Sequence, residues 1–185
     1  MILRRKDIKD GRPPRRPSFF IALWAILALL TISALVPVHL LEIRTPKTDE
    51  TRWTRIVSSG ETFALGYKHS VELSMVWDFF RLDREYRLIL YETRFHSSNA
   101  GLPSTIAPGE RLILEKEVIR LTNRKVIIPS LLLWVNENSL NTLVWNSKEL
   151  RLYELAGNAL LEIRLVKSPF WKYLWGRLMR ICRVR

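Results

Sequence analysis

Between Pro17 and Leu41 the chain runs for twenty-five residues without a charge (PSFFIALWAILALLTISALVPVHLL). No other stretch restricts the fold as strongly. About 20 apolar residues are enough to cross a bilayer core as a helix, and a helix that is apolar on every side needs apolar surroundings. Phe19, Phe20 and Trp24 stand near its start, where aromatic rings favour the membrane interface. Pro37 lacks an amide proton and ends or kinks the helix near its exit. The sequence therefore predicts a transmembrane signal anchor over residues 18–41.

The flanks of this run set its orientation. Arg4, Arg5, Lys6, Lys9, Arg12, Arg15 and Arg16 precede it, whereas Glu42, Arg44 and Lys47 follow. The positive-inside bias predicts a single-pass protein of the cytoplasmic (inner) membrane, with a basic cytoplasmic tail over 1–17 and the rest outside. A cleaved signal peptide competes with this reading. Against it, the run is longer than the roughly 7–15 residues of a signal h-region, and Ile32 spoils a small-x-small site ending at Ala34.

The net charge of +12 invites a nucleic-acid reading until its distribution is followed. Residues 1–16 carry seven basic and two acidic side chains, and residues 167–185 carry six basic and none acidic. What remains is nearly balanced, so no folded basic face is expected. Charge concentrated beside apolar segments points to membrane lipid as a partner rather than nucleic acid. The single cysteine, Cys182, excludes an internal disulfide framework and a multi-cysteine metal site.

Residues 42–52, polar around RTPKTDETR, read as a linker. From there strand signals follow one another. Trp53–Ser58 and Thr62–His69 are rich in β-branched and aromatic residues and are separated by Ser59 and Gly60. Met75–Leu82 and Tyr86–Phe95 flank the polar tip Asp83-Arg84-Glu85 as a hairpin, and the second arm alternates with period two. Further strands are expected over Arg111–Ile119, Val126–Val135 (broken at Pro129), Leu140–Trp145, Leu150–Leu155 and Ala159–Val166. The segment Pro108–Leu121 also allows a helix. About eight short strands with turns between them predict an all-β domain over 53–166, a small antiparallel β-sandwich or partly closed barrel.

Residues 167–185 change character again. On helical spacing Trp171, Leu174, Trp175, Leu178, Met179 and Cys182 share one face, with Lys172, Arg177, Arg180 and Arg183 largely off it. A short basic amphipathic helix of this kind suits a membrane interface, with Trp171, Lys172, Trp175, Arg177, Arg180 and Arg183 as its interface residues. Packing on its own domain is an alternative of equal standing, and the membrane-embedded flank of a partner is a third.

The densest polar constellation is Lys68-His69-Ser70 with Glu72. A nucleophile needs a base, and the base an orienting carboxylate. In a strand, however, His69 and Ser70 point to opposite faces, and no G-x-S-x-G elbow occurs. His39, His69 and His96 show no H-x-x-x-H or H-E-x-x-H spacing. No catalytic residue, metal or cofactor is therefore expected. The loop S-S-N-A-G-L-P holds Asn99, Gly101 and Pro103, which suit a tight turn or an anion-binding nest of backbone N–H groups.

The order G-Y-x-H-S-V-E, then Asp78 between aromatics, then Y-E-T-R-F, then S-S-N-A-G-L-P resembles domain of unknown function 1850, over roughly Trp53–Val166. The chain departs from that pattern at Asn99, where Gly is usual, and at Asp78, where Glu is common. The resemblance implies a small anchored protein associated with tripartite ATP-independent periplasmic (TRAP) transporters of the type with a TAXI solute receptor. It implies no enzyme activity. The expected function is a non-enzymatic accessory or assembly subunit of such a system, with the TRAP permease and TAXI receptor as partners. His69, Ser70, Glu72, Arg94, Asn99, Gly101 and Pro103 are the candidate interaction or loop-ordering cluster. The alternative is a module on the membrane surface that binds a small carboxylate or other anion.

Overall fold

The computed structural model describes residues 19–71, 73–96 and 106–183. The chain divides into two compact units, Met1–Val36 and Pro37–Arg185. The described part of the first is helix α1 (Phe19–Leu35), seventeen residues with none buried. Its two interior hydroxyls turn back on the helix: Thr31 Oγ1 donates to the Leu27 carbonyl at 2.8 Å and Ser33 Oγ to that of Leu29 at 2.7 Å. At 1.5 Å per residue α1 is about 26 Å long, against about 30 Å for a bilayer core. Among the described residues no helix is long and apolar enough to cross a membrane.

The span expected over 18–41 is thus shorter at its far end. Pro37 opens strand β1 (Pro37–Thr45), which pairs with β2 (Glu50–Ile56) through a short turn. The expected linker at 42–52 is therefore most of a hairpin, and His39 lies in the sheet with its ring stacked 3.5 Å from that of Tyr86. Hydropathy alone joined these residues to the helix. What separates them is a pairing partner far along the chain, β11 (Ala159–Pro169), which runs antiparallel to β1 from Pro37–Pro169 to Arg44–Glu162.

Between them the chain forms β3 (Thr62–Lys68), β4 (Met75–Leu82), β5 (Leu88–Phe95), β6 (Arg111–Leu114), β7 (Ile119–Ile128), β8 (Ser130–Val135), β9 (Thr142–Trp145) and β10 (Lys148–Arg151). Helix α2 (Leu152–Ala156) precedes β11, and α3 (Phe170–Arg183) follows it. The unit is mostly β, in two antiparallel sheets ordered β2-β1-β11-β8 and β10-β9-β3-β4-β5-β7-β6. Among the described residues no strand is shared between the sheets and each keeps two open edges, so neither a closed nor a partly closed barrel forms. Three expectations shift with this. The ambiguous segment around Arg111 is a β6–β7 hairpin and not a helix. Pro129 ends one strand in the seven-stranded sheet and starts another in the four-stranded one, because proline breaks a ladder but permits a corner. Leu152–Ala156 coils, burying Leu152 completely.

One apolar cluster draws on both sheets: Leu41, Ile43, Val135, Leu161 and Ile163 from the smaller, Phe63, Leu65, Phe80, Leu82, Leu88 and Leu143 from the larger. Phe63 stacks between Phe80 at 5.0 Å and Trp145 at 5.1 Å. On the opposite face of the larger sheet Gly66 faces Trp77 across the β3–β4 ladder. A Cβ built on Gly66 would sit 2.6 Å from the Trp77 ring, so only glycine lets the indole lie flat there. Gly66→Ala is expected to lower stability by about 1–3 kcal/mol, the range for overpacking. Chemical denaturation checks this, and most of the loss should return in the Gly66→Ala, Trp77→Leu double variant.

A cleft at the open edge of the smaller sheet

Period-two alternation decides which side chains of β3 and β4 face the core. Phe63, Leu65 and Tyr67 share one parity on β3, and Val76, Asp78, Phe80 and Leu82 share one on β4. A carboxylate therefore occupies a position whose same-parity neighbours along β4 are all apolar. Asp78 lies opposite Leu65 on one side and Thr93 on the other. Thr93 Oγ1 donates to Asp78 Oδ1 at 2.7 Å, and Arg124 Nη1 donates to Thr93 Oγ1 at 2.8 Å. Arg124 Nε in turn donates to Glu110 Oε1 at 3.0 Å. Burial raises the Asp78 pKa above the ordinary carboxylate value, against the Thr93 hydrogen bond and the Arg124 charge, which pull it down. Tyr67 is pushed up to about 12, by burial first and then by the charge of Asp78.

Beyond Tyr67 the β3–β4 turn begins. His69 N donates to the Ser74 carbonyl at 2.9 Å, and Leu73 N to the His69 carbonyl at 3.0 Å, with Leu73 at a φ of 53°. Val71 N donates to His69 Nδ1 at 3.4 Å. Across from this turn, after β8, Asn136 caps a 3-10 turn (Glu137–Ser139). Its Oδ1 accepts from Ser139 N at 2.9 Å, while its own N donates to Ser139 Oγ at 3.1 Å.

These pieces enclose a cleft of about 410 Å³. Tyr67, Lys68, His69, Ser70 and Asp78 line one side, and Leu131–Trp134 of β8 the other. It adjoins a polar hollow of about 400 Å³ that shares Lys68, His69 and Ser70 and is completed by Asn136, Asn138 and Ser139. Of the expected cluster, His69 and Ser70 are brought together here. Glu72, Asn99, Gly101 and Pro103 lie outside the described residues. Arg94 sits elsewhere: its Nε donates to Glu92 Oε1 at 2.5 Å, and its guanidinium lies 4.4 Å from the centre of the Phe79 ring. Glu92 also accepts from Arg120 at 3.0 and 3.1 Å. Burial pushes Glu92 up, but the hydrogen bonds from Arg120 and Arg94 outweigh it and hold its pKa below the ordinary value.

The tail residues lie on α3. Trp171 and Trp175 are exposed together with Leu174 and Leu178. The Lys172 ammonium sits 5.7 Å from the centre of the Trp171 ring, and Lys172, Tyr173 and Gly176 line a groove against Glu42 and Arg164 of the smaller sheet. Arg177 lies one turn farther along the helix; the side chains of Arg180 and Arg183 are outside those described. Among the described residues no group of three or more histidine, cysteine or acidic side chains could hold a metal. Reasoning from the polar constellation missed Tyr67, Asp78 and the β8 wall. The parity of Val76-x-Asp78-x-Phe80-x-Leu82 was the available signal for Asp78. Nothing local could have named β8.

Residues 63–152 match the family model described as domain of unknown function (DUF1850), a span from β3 to the start of α2 that contains the whole cleft wall. No curated protein and no solved structure matches the chain.

The raised pKa of Asp78 has a definite sign in stability. The folded state binds its proton more tightly than the unfolded state, so the stabilisation is complete below the unfolded value near 3.8 and is lost as pH rises through the folded value. Asp78→Asn removes this dependence while keeping an acceptor for Thr93. Urea midpoints of the two proteins should run parallel below about pH 4 and diverge above it, with the wild type falling relative to the variant. Parallel curves across the whole range would contradict the placement of Asp78.

Proposed function

We propose, taking residues 63–152 as a member of the domain of unknown function 1850 family, that this chain is a non-enzymatic binding protein held at the outer surface of the cytoplasmic membrane. In this reading the two sheets face each other as a β-sandwich, which the shared apolar cluster supports. Helix α1 serves as the anchor, with the N-terminus inside. Its uncharged sequence, the absence of buried residues and its internally satisfied hydroxyls support this role. A helix about 4 Å short of the core thickness is accommodated by local thinning at a fraction of a kcal/mol per Å. The exposed Trp171–Leu178 stripe of α3 suits a membrane interface.

The observation that carries the binding role is the cleft between β3 and β8. It is concave, largely apolar, and set with a few converging polar groups, as binding sites are. The family resemblance supplies the partner class, a TRAP-type permease with its TAXI solute receptor, to which the chain would be an accessory subunit. A second reading, a binder of small carboxylates, is favoured by the hollow at Lys68 and His69.

Affinity purification of the tagged full-length chain from detergent-solubilised native membranes, with quantitative mass spectrometry, separates these. A multi-span permease and a solute receptor are expected to co-elute. The Lys68→Glu, His69→Ala double variant should recover them at least about tenfold less while staying in the membrane fraction, the scale of losing one well-made charged contact. Recovery unchanged by the double variant would remove the cleft from the interaction. A partnerless wild type whose melting temperature rises with added dicarboxylates would favour the second reading.

A further inference from the structure

Among the described residues the two sheets end in four edge strands, and these are not treated alike. β2 carries Glu50, Arg52 and Arg55; β10 is four residues long with Lys148, Glu149 and Arg151; β6 is four residues long and starts at Arg111. Charge and shortness are the usual means by which an edge avoids pairing with a foreign strand. β8 reads Ser-Leu-Leu-Leu-Trp-Val, with no charge, glycine or proline within it. It pairs with β11 on one side only. Leu132 and Trp134 are 63% and 61% exposed beside it, a level of apolar exposure the other three edges reach only at Leu114.

The cleft runs along that free edge. Successive side chains of a strand point to opposite faces, so a cavity above one face would meet alternate residues. This one meets four in succession, Leu131, Leu132, Leu133 and Trp134. The cavity therefore lies against the strand's edge, where among the described residues the backbone N–H and C=O groups have no partner strand. At the Val135 end it opens into the hollow holding Lys68, and among the described residues no carboxylate lines that hollow.

We propose that β8 takes up an extended segment of another polypeptide as a fifth strand of the smaller sheet, and that this segment bears a carboxylate that meets Lys68 at the end of the cleft. The proposal rests on the binding reading above and names the occupant. Backbone pairing supplies affinity, alternate apolar side chains of the guest cover Leu131 and Leu133 on the inner side and Leu132 and Trp134 on the outer, and charge sets the register. A second copy of this chain fits less well. It would offer its own β8, which has no acidic residue to answer Lys68.

The test uses the full-length protein in detergent micelles and labelled ten-residue peptides of alternating valine and threonine. One peptide carries glutamate at both ends, one lysine at both ends, and one is the glutamate form N-methylated at alternate residues. Fluorescence anisotropy reads binding, and hydrogen exchange reads the amides of residues 130–135. The glutamate peptide should bind saturably and slow exchange of the edge-facing β8 amides. N-methylation, and separately Leu132→Lys at an exposed position, should each weaken binding at least about tenfold. Lys68→Glu should reverse the preference to the lysine peptide.

Absence of binding by any peptide at about 1 mM, or binding indifferent to N-methylation, overturns strand addition. So does a dimer in sedimentation whose β8 amides are already protected without peptide, which would make the occupant a second copy. If strand addition fails while the Lys68→Glu, His69→Ala variant still loses its co-eluting partners, the cleft remains a binding site and only the mode of binding falls.

Discussion

Everything beyond α1 depends on the pairing of β1 with β11, two strands from opposite ends of the β unit. Ion pairs across it join residues 118 and 122 positions apart, Arg44 with Glu162 and Glu42 with Arg164. This pair forms the centre of the smaller sheet, with β2 and β8 added on either side. Without it the larger sheet would have no apolar partner for Phe63, Phe80 and Leu143, and β8 would have no neighbour to hold it opposite β3. Because loop-closure entropy must be met before such distant contacts form, the pairing is expected late in folding. The cleft needs that pairing, since its two walls belong to different sheets.

The ion pairs themselves explain little of the stability. Arg44 pairs with Asp49 and Glu162, and Glu92 takes up both Arg94 and Arg120, on faces that are at least partly wet. Pairs of this kind contribute roughly 0–1 kcal/mol each. Their effect is on the field: they neutralise the outer faces and leave the basic excess to the two ends of the chain. The cluster shared by the two sheets, in contrast, is apolar, and at Asp78, beside it on β4, burial acts against charge. A carboxyl whose pKa burial raises is also one that lines the cleft.

How much of this was legible in the sequence depended on how far each signal reached. β4 has the bounds read for it, Met75–Leu82, because a strand-like run closed by a polar tip is a local property. Pro129 was visible as a break, but which sheet lay on either side of it was not. The residues after Pro37 were assigned to the membrane run because Val38, His39, Leu40 and Leu41 carry no charge, and only their register with β11 separates them from α1. His69 and Ser70 were singled out as the densest polar group and do meet in the cleft. Its other wall comes from residues sixty positions later, and no pattern within either segment indicates the meeting.

A bare edge strand is a hazard, because it can template pairing with any extended chain. Three of the four edges carry charge and two of those are only four residues long, so the fold has the usual protections at hand. A single lysine at Leu132, already exposed, would extend them to β8 at no cost to the core. The position of the bare edge narrows the hazard. On the cleft side β8 faces the β3–β4 turn, with Lys68, His69 and Ser70 opposite Leu131–Trp134. An approaching sheet would have to present a strand that fits beneath that turn, whereas one extended segment can thread the space. Charge at Lys68 then selects among segments by complementarity rather than by shape. Exposure of apolar backbone edge and restriction of access occur together at this one place, and that combination separates β8 from an accidental gap in the sheet.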